Sequence, residues 1–190
     1  MRPELLKIKK ADFEDKILSK LNKADKALFE SNYVFNGDEN VYNLKEGLNE
    51  ADQWRWEMAG LLHDADWDQW PEQHCKKIIE ELETRNIDPE IIRAIASHGP
   101  NHFGVEPVTK MDKMLFAFDE LSGLTHAYSL MRPEGYEGME LKGMKKRFKE
   151  ARFAANVNRD EIMDAMQRAG VELETVMQFI IERQGEVSKK

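Results

Sequence analysis

Residues 111–124 read MDKMLFAFDELSGL, and this nearly continuous apolar run decides the fold class. At about 100° per residue, its apolar side chains surround a helix almost completely, which predicts a helix buried among other helices. One carboxylate, Asp119, lies inside the run. Because a buried carboxylate is costly unless it is paired or ligates a metal, Asp119 is either a structural ion-pair partner or a site residue.

Outward from this run, apolar residues recur at helical spacing, and no segment alternates with the period of a strand. The sequence predicts an all-α, compact multi-helix bundle with helices at about residues 12–30, 49–63, 71–85, 88–98, 108–131, 139–155, 159–169 and 172–184. We expect a single domain, in which an N-terminal helix and loop of residues 1–48 pack on a helical core of residues 49–190.

The composition restricts the class of protein. The chain has 190 residues and a net charge of -8, which argues against a nucleic-acid partner because phosphate backbones select basic surfaces. Its one cysteine, Cys75, has no partner for an intrachain disulfide, and we expect it to be a small packing residue in a reducing compartment. No apolar run approaches the roughly 20 residues of a membrane span, so we predict a cytoplasmic protein without a membrane partner. The sequence leaves the oligomeric state open.

Residues 59–74, AGLLHDADWDQWPEQH, contain the first candidate site residues, because an apolar helix ends there in His63 and Asp64. His74 is predicted to lie in the first turn of the helix that Pro71 starts, and His98 follows the apolar face of IIRAIASH. Each histidine alone is typical of a hydrogen-bonded core residue. Together with Asp64 and Asp119, the three histidines are better explained by convergence on a metal. Mixed imidazole and carboxylate ligands suit Mn, Fe, Co, Ni or Zn better than Mg or Ca.

The motifs and their order resemble the HD-domain superfamily of metal-dependent phosphohydrolases, and more closely a bacterial subgroup of HD or HDIG-type hydrolases. The resemblance extends over about residues 54–184. It is carried by AGLLHDADW, PEQHC, IIRAIASH, MDKMLFAFDELSGL, MRP and KKRFKEARFAANVNR, which occur in this order. The resemblance implies an HD-domain helical bundle that hydrolyses a small phosphorylated metabolite, with nucleotides the leading candidates.

The resemblance also implies roles for the five residues. His63 and Asp64 correspond to the family's histidine–aspartate doublet, His74 and His98 to ligands on one side of the site, and Asp119 to a distal carboxylate. Asp64 bridges two ions where the family's site is dinuclear. The implied cofactor is therefore one or two divalent transition-metal ions.

The chain departs from the family pattern in one respect. The family has a further histidine on a helix before the doublet, whereas this chain has no histidine before His63. We expect a water or an oxygen donor in its place, with Glu39, Glu46 and Glu50 the candidates of longest reach. Two other interpretations remain: a catalytically degraded HD module that binds a ligand or protein partner, and an HD-type diiron oxygenase.

Further polar residues are candidates for catalysis and substrate binding. Asp64 and Asp68 are the predicted catalytic residues; Asp68 and its neighbour Asp66 either position water or orient a histidine, or belong to a solvated loop. A basic group is predicted to attract the phosphorylated substrate, and its alternative is an ordinary solvated face paired with glutamates. This group comprises Arg132, Lys142, Lys145 and Lys146, with Lys149 on the same helix side as the lysines.

Overall fold

The computed structural model describes residues 50–188, and every regular element in that range is a helix. The elements are α1 (Glu50–Leu62), a 3-10 turn (Pro71–Gln73), α2 (Lys76–Thr84), α3 (Pro89–Ala96), α4 (Pro100–Phe103), α5 (Lys110–Leu130), α6 (Leu141–Lys149), α7 (Arg159–Ala169) and α8 (Leu173–Val187). The predicted all-α class is confirmed over these residues. The predicted helix at 12–30 and the loop at 31–48 lie outside the described part of the chain. Between residues 50 and 188, no helix is both long and apolar enough to cross a membrane.

Helix α5 is the centre of the bundle. It packs against α1, α3, α6, α7 and α8, and 12 of its 21 residues are buried. Side chains on different faces of the helix, such as Phe116, Phe118 and Leu121, are all nearly inaccessible to solvent. This packing on all sides explains why the sequence of α5 is apolar around almost its whole circumference, since each large apolar side chain contributes about 1.5–3 kcal/mol when buried.

The N-terminus of α5 is fixed by a capping box. The side chain of Thr109 accepts a hydrogen bond from Asp112 N at 3.3 Å, and Asp112 Oδ2 accepts from the backbone N–H groups of Val108 and Thr109, both at 2.9 Å. Asp112 is fully buried and also forms an ion pair with Arg93 of α3, with Nη1 2.8 Å from Oδ2. One carboxylate therefore caps α5 and ties it to α3.

The predicted helix starting at Pro71 is wrong in its first part. Pro71–Gln73 is a 3-10 turn, and Cys75 adopts a φ of 67° before α2 begins. The reason is Asp66, whose Oδ2 accepts a hydrogen bond from Ile78 N at 2.9 Å and so caps α2 from outside the helix. His74 consequently lies in the break between the two elements rather than in a first helical turn.

The predicted helix at 139–155 is also too long, because α6 ends at Lys149. Ala154 has a φ of 43°, and the guanidinium of Arg159 donates to the carbonyl groups of Ala154 at 2.6 Å and Val157 at 2.7 Å. The side chain of Arg159 therefore satisfies carbonyl groups that lie outside a helix in this segment. The remaining predicted helix ends differ from the observed ones by a few residues, including α3, which ends at Ala96 before His98.

We predict that Asp112→Ala lowers the free energy of unfolding by about 2–4 kcal/mol, because the cap is lost and two backbone N–H groups lose their acceptor. Urea denaturation followed by far-ultraviolet circular dichroism measures the change. Asp164→Ala is the matched control, since Asp164 pairs with Arg168 on the surface of α7, where an ion pair contributes little. Equal stability of the two variants would contradict the role assigned to Asp112.

Candidate metal centre

Three helices and one break bring the five predicted residues together. His63 and Asp64 directly follow the end of α1, His98 lies two residues after α3, His74 occupies the break before α2, and Asp119 lies in the middle of α5. Helix α5 contacts both α1 and α3, and α3 contacts α1 and α2. The ends of α1 and α3, the break before α2 and the middle of α5 therefore hold side chains that are far apart in sequence around one point.

Asp64 is the middle of this cluster. Its Oδ1 lies 3.2 Å from His74 Nε2 and 3.9 Å from His98 Nε2, and its Oδ2 lies 3.4 Å from His63 Nε2. His63 Nε2 is in turn 3.3 Å from Asp119 Oδ1. The sequence suggested that Asp119 is completely buried. In the structure, a quarter of its side chain is exposed, because it faces a cavity.

The cluster divides into two groups that could each hold a metal ion. Asp64, His74 and His98 form one group, and His63, Asp64 and Asp119 form the other. Within each group the donor atoms lie within 4.8 Å of one another, which suits ligands placed about 2 Å from a shared ion. The mixed imidazole and carboxylate donors fit a divalent transition metal.

The three histidine rings are held in one orientation by their Nδ1 atoms. His63 Nδ1 is 2.7 Å from Gly60 O, His98 Nδ1 is 2.5 Å from Ile95 O, and His74 Nδ1 is 2.7 Å from Asp66 Oδ1. A neutral ring that donates from Nδ1 presents the lone pair of Nε2 to the cluster. This support of the second ring nitrogen is typical of histidines that bind metal.

Charge within the cluster changes its protonation. Burial opposes protonation of His63, but the carboxylates of Asp64 and Asp119 outweigh it and raise the pKa of His63 to about 9. Burial also opposes protonation of His74, yet Asp64 and Asp66 raise its pKa to about 9. For His98, burial is the largest effect and lowers the pKa, helped by the neighbouring positive charge of His63. Burial raises the pKa of Asp64, but the histidines overcome this effect and lower it.

A cavity of about 780 Å³ opens beside the cluster. Asp64, His74, His98 and Asp119 line it, whereas His63 is 2% exposed and lies behind them. The cavity gives a small molecule direct access to both groups of donors.

The structure distinguishes between the two aspartates that follow the doublet. Asp66 is 2% exposed and holds both His74 and the start of α2. The predicted catalytic residue Asp68 is exposed and does not line the cavity. The orienting role that the sequence offered to either aspartate therefore belongs to Asp66.

The predicted substrate-binding cations lie outside the cavity. Lys142, Lys145 and Lys146, with Lys149, line a separate groove on α6, where Lys145 pairs with Glu174. The guanidinium of Arg132 donates to the carbonyl groups of Gly135 at 2.8 Å and Glu137 at 2.6 Å. The structure does not bring these four predicted residues to the candidate metal cluster.

Two glutamates in the cavity wall were missed by the sequence analysis. Glu120 is half-buried, and burial, followed by the negative charges of Asp119 and Glu161, raises its pKa to about 7. Glu161 is 5% exposed and lies in the first turn of α7, after the helix cap Asn158. The sequence signal for Glu120 was its position after Asp119 on the buried helix, whereas Glu161 resembles any acidic residue in a first helical turn.

The residues proposed to replace the family's additional histidine are not tested. Glu39 and Glu46 lie outside the described residues, and so does the side chain of Glu50. A further ligand from this part of the chain to the group of His63, Asp64 and Asp119 stays a prediction.

Comparisons with known proteins supply no family for the chain. A scan against protein-family models gives no match, and searches of curated proteins and of solved structures give none either. The resemblance to HD-domain hydrolases therefore stays a prediction from the motifs, and any functional argument depends on the geometry of the cluster.

We predict that metal binding releases protons. With pKa values of about 9, His63 and His74 are protonated near neutral pH in the metal-free protein, whereas a ligating imidazole must be neutral. The raised values stabilise the metal-free fold below the ordinary histidine pKa of about 6.5, and this stabilisation is lost as the pH rises through about 9. The affinity for Mn²⁺ should therefore rise from about pH 6 to pH 9.

Calorimetric titration in two buffers of different ionisation enthalpy measures the number of protons released. His126→Ala is the control, because the His126 ring bonds to Tyr136, 2.8 Å away, and not to the cluster. An affinity that stays constant over this pH range would show that the two histidines are already neutral.

We predict that Asp66→Ala weakens Mn²⁺ binding by about 10- to 100-fold, because His74 loses the acceptor that orients its ring. The same change at exposed Asp68 is the comparison, and we expect it to have a much smaller effect. Calorimetric affinities of the two variants and the wild type provide the measurement. Equal losses in both variants would mean that charge near the site, rather than orientation of His74, sets the affinity.

Proposed function

We propose that the protein is a metal-dependent phosphohydrolase of the HD superfamily that acts on a small phosphorylated metabolite. The observation that supports this most strongly is the position of Asp64. Its Oδ1 faces His74 and His98, while its Oδ2 faces His63. A carboxylate shared between two groups of donors suits a two-ion hydrolytic site, because it could contact both ions.

The chain would supply the metal ligands from side chains that include three histidines held by hydrogen bonds at Nδ1. Asp64, His74 and His98 would hold one ion, and His63, Asp64 and Asp119 a second. Such ions stabilise negative charge on phosphoryl oxygens and make water a better nucleophile near neutral pH.

The surroundings of the cluster suit a small phosphate ester. The buried His63 and Asp66 lie behind the cavity lining, and Asp66 holds the ring of His74 in place. Trp67 and Phe103 line the cavity with aromatic surface, and their ring centroids lie 4.9 Å and 5.4 Å from that of His74. The phosphate would lie at the His/Asp cluster, and the organic part of the ester would lie against these rings.

One observation favours a second function, a degraded HD module that binds a ligand or partner without catalysis. The group of His63, Asp64 and Asp119 offers a single imidazole, and the sequence has no histidine before His63. If this group holds an ion poorly, the cavity remains a binding pocket.

Elemental analysis of the protein as purified, followed by Mn²⁺ titration of metal-stripped protein and assay of a phosphomonoester such as p-nitrophenyl phosphate, distinguishes these functions. Turnover that depends on added divalent metal supports the phosphohydrolase. Absence of both binding and turnover at millimolar Mn²⁺ supports the degraded module. Bound iron with oxygen uptake would instead indicate the oxygenase.

We predict that Asp64→Ala removes more metal and more activity than His74→Ala. Asp64 belongs to both groups of donors, whereas His74 belongs to one, and loss of a carboxylate also leaves the cations less neutralised. Metal content by mass spectrometry and turnover of the same ester measure the difference. Wild-type metal content in Asp64→Ala would contradict the bridging position of this residue.

A further inference from the structure

The cavity beside the metal cluster has an acidic wall that the proposed ligands do not use. Glu120 follows Asp119 on α5, and Glu161 lies in the first turn of α7. Because α5 and α7 pack against each other, both carboxylates line the same cavity. Glu161 does so although only 5% of its surface is exposed.

Among residues 50–188, no basic side chain at hydrogen-bonding distance neutralises this wall. Glu161 Oε1 accepts a hydrogen bond from the neutral amide of Asn101 at 3.1 Å. Its Oε2 accepts no hydrogen bond there; the nearest ring nitrogen, in the 70% exposed side chain of His102, is 4.0 Å away. Glu120 has no ion pair or hydrogen bond within this range. The positive charge of Arg159 acts on Glu120 only through space, because its guanidinium donates to backbone carbonyl groups. Two neighbouring carboxylates that no cation contacts at hydrogen-bonding distance are costly in a partly buried wall, so a cationic ligand group would complement them.

We propose that Glu161, with Glu120 beside it, selects substrates that carry an ammonium group, so that the preferred substrates are phosphomonoesters of amino alcohols. This inference rests on the proposed phosphohydrolase function. The metal-loaded cluster would attract the phosphate, and the two glutamates would attract the ammonium group. A molecule with both charges matches the two halves of the cavity, whereas a second phosphate directed at the glutamates is repelled.

The aromatic part of the cavity is consistent with such a substrate. Trp67 is 54% exposed and Phe103 is partly buried, and both line the space between the rim and the histidines. Aromatic rings accept both alkyl chains and alkylammonium groups, the latter through cation–π attraction. Lys76, the lysine that lines this cavity, lies on α2 and forms no ion pair with either glutamate.

The test uses the full 190-residue chain loaded with Mn²⁺ and a matched series of monophosphate esters. The series contains ω-aminoalkyl phosphates of increasing chain length, each with a hydroxyl-terminated and a methyl-terminated analogue of the same length. We expect kcat/KM for the best ammonium ester to exceed that of its hydroxyl analogue by roughly ten- to hundredfold, the discrimination that a charge-assisted hydrogen bond supplies.

In Glu161→Gln, the amide still accepts from Asn101 but has lost its charge, and the ratio of kcat/KM between ammonium and hydroxyl esters should fall to about one. Glu120→Gln, on a different helix, is the second variant and should lower the same ratio. Glu134→Gln, an equal change of charge on an exposed residue outside the cavity, should keep the wild-type ratio.

Calorimetric binding of the same compounds to the same proteins separates this inference from the proposed function. Absence of turnover for every ester contradicts the proposed phosphohydrolase function. The binding measurements then decide alone whether Glu161 and Glu120 select ammonium groups. The inference is supported if the wild type binds ammonium compounds more tightly than their hydroxyl analogues and Glu161→Gln abolishes this difference. Ammonium compounds that bind no tighter than their hydroxyl analogues in the wild type overturn it, whether or not any ester is hydrolysed.

Discussion

The geometry of the candidate metal cluster depends on one fully buried carboxylate, that of Asp112. It caps the central helix α5 and pairs with Arg93 of α3, so it fixes where α5 begins relative to α3. Asp119 lies seven residues further along α5, about 10 Å at 1.5 Å per residue, while His98 follows the end of α3. A shift or rotation of α5 against α3 would separate the donors that these helices carry. The ion pair of Asp112 with Arg93 thus helps to set the position of the Asp119 carboxylate relative to His98.

Much of this arrangement could be predicted from the sequence, because it is expressed in local patterns. The all-round apolar sequence of α5 and the histidines after apolar helices indicated which side chains face the interior. The break at His74 could not be predicted, because it depends on a hydrogen bond from Ile78 to Asp66, twelve residues away. The approach of Glu161 to the cavity likewise depends on how α7 packs on α5. The lysines of α6 share one helix side, as predicted, but the pattern within a helix does not determine which cavity that side faces.

The protonation of the cluster follows from its composition. Buried carboxylates that lie close together repel one another and attract protonated imidazoles. Protons on His63 and His74 therefore balance the negative charges of Asp64, Asp66 and Asp119. His98 remains neutral, because burial and the charged His63 ring both disfavour a proton on it. In the metal-free site, protons on His63 and His74 take the place of metal cations. Metal binding is then an exchange of cations rather than the neutralisation of bare negative charge.

The two groups of donors are chemically unequal, although they share Asp64. The group with His74 and His98 has two imidazoles and one carboxylate, and Asp66 supports one of its rings from behind. The group with His63 and Asp119 has one imidazole and two carboxylates, and one of these is partly exposed. Nitrogen-rich sites favour ions such as Zn, whereas oxygen-rich sites favour Mn or Mg. The sequence has no histidine before His63 that could add an imidazole to the oxygen-rich group. The two candidate groups of donors would therefore favour different ions.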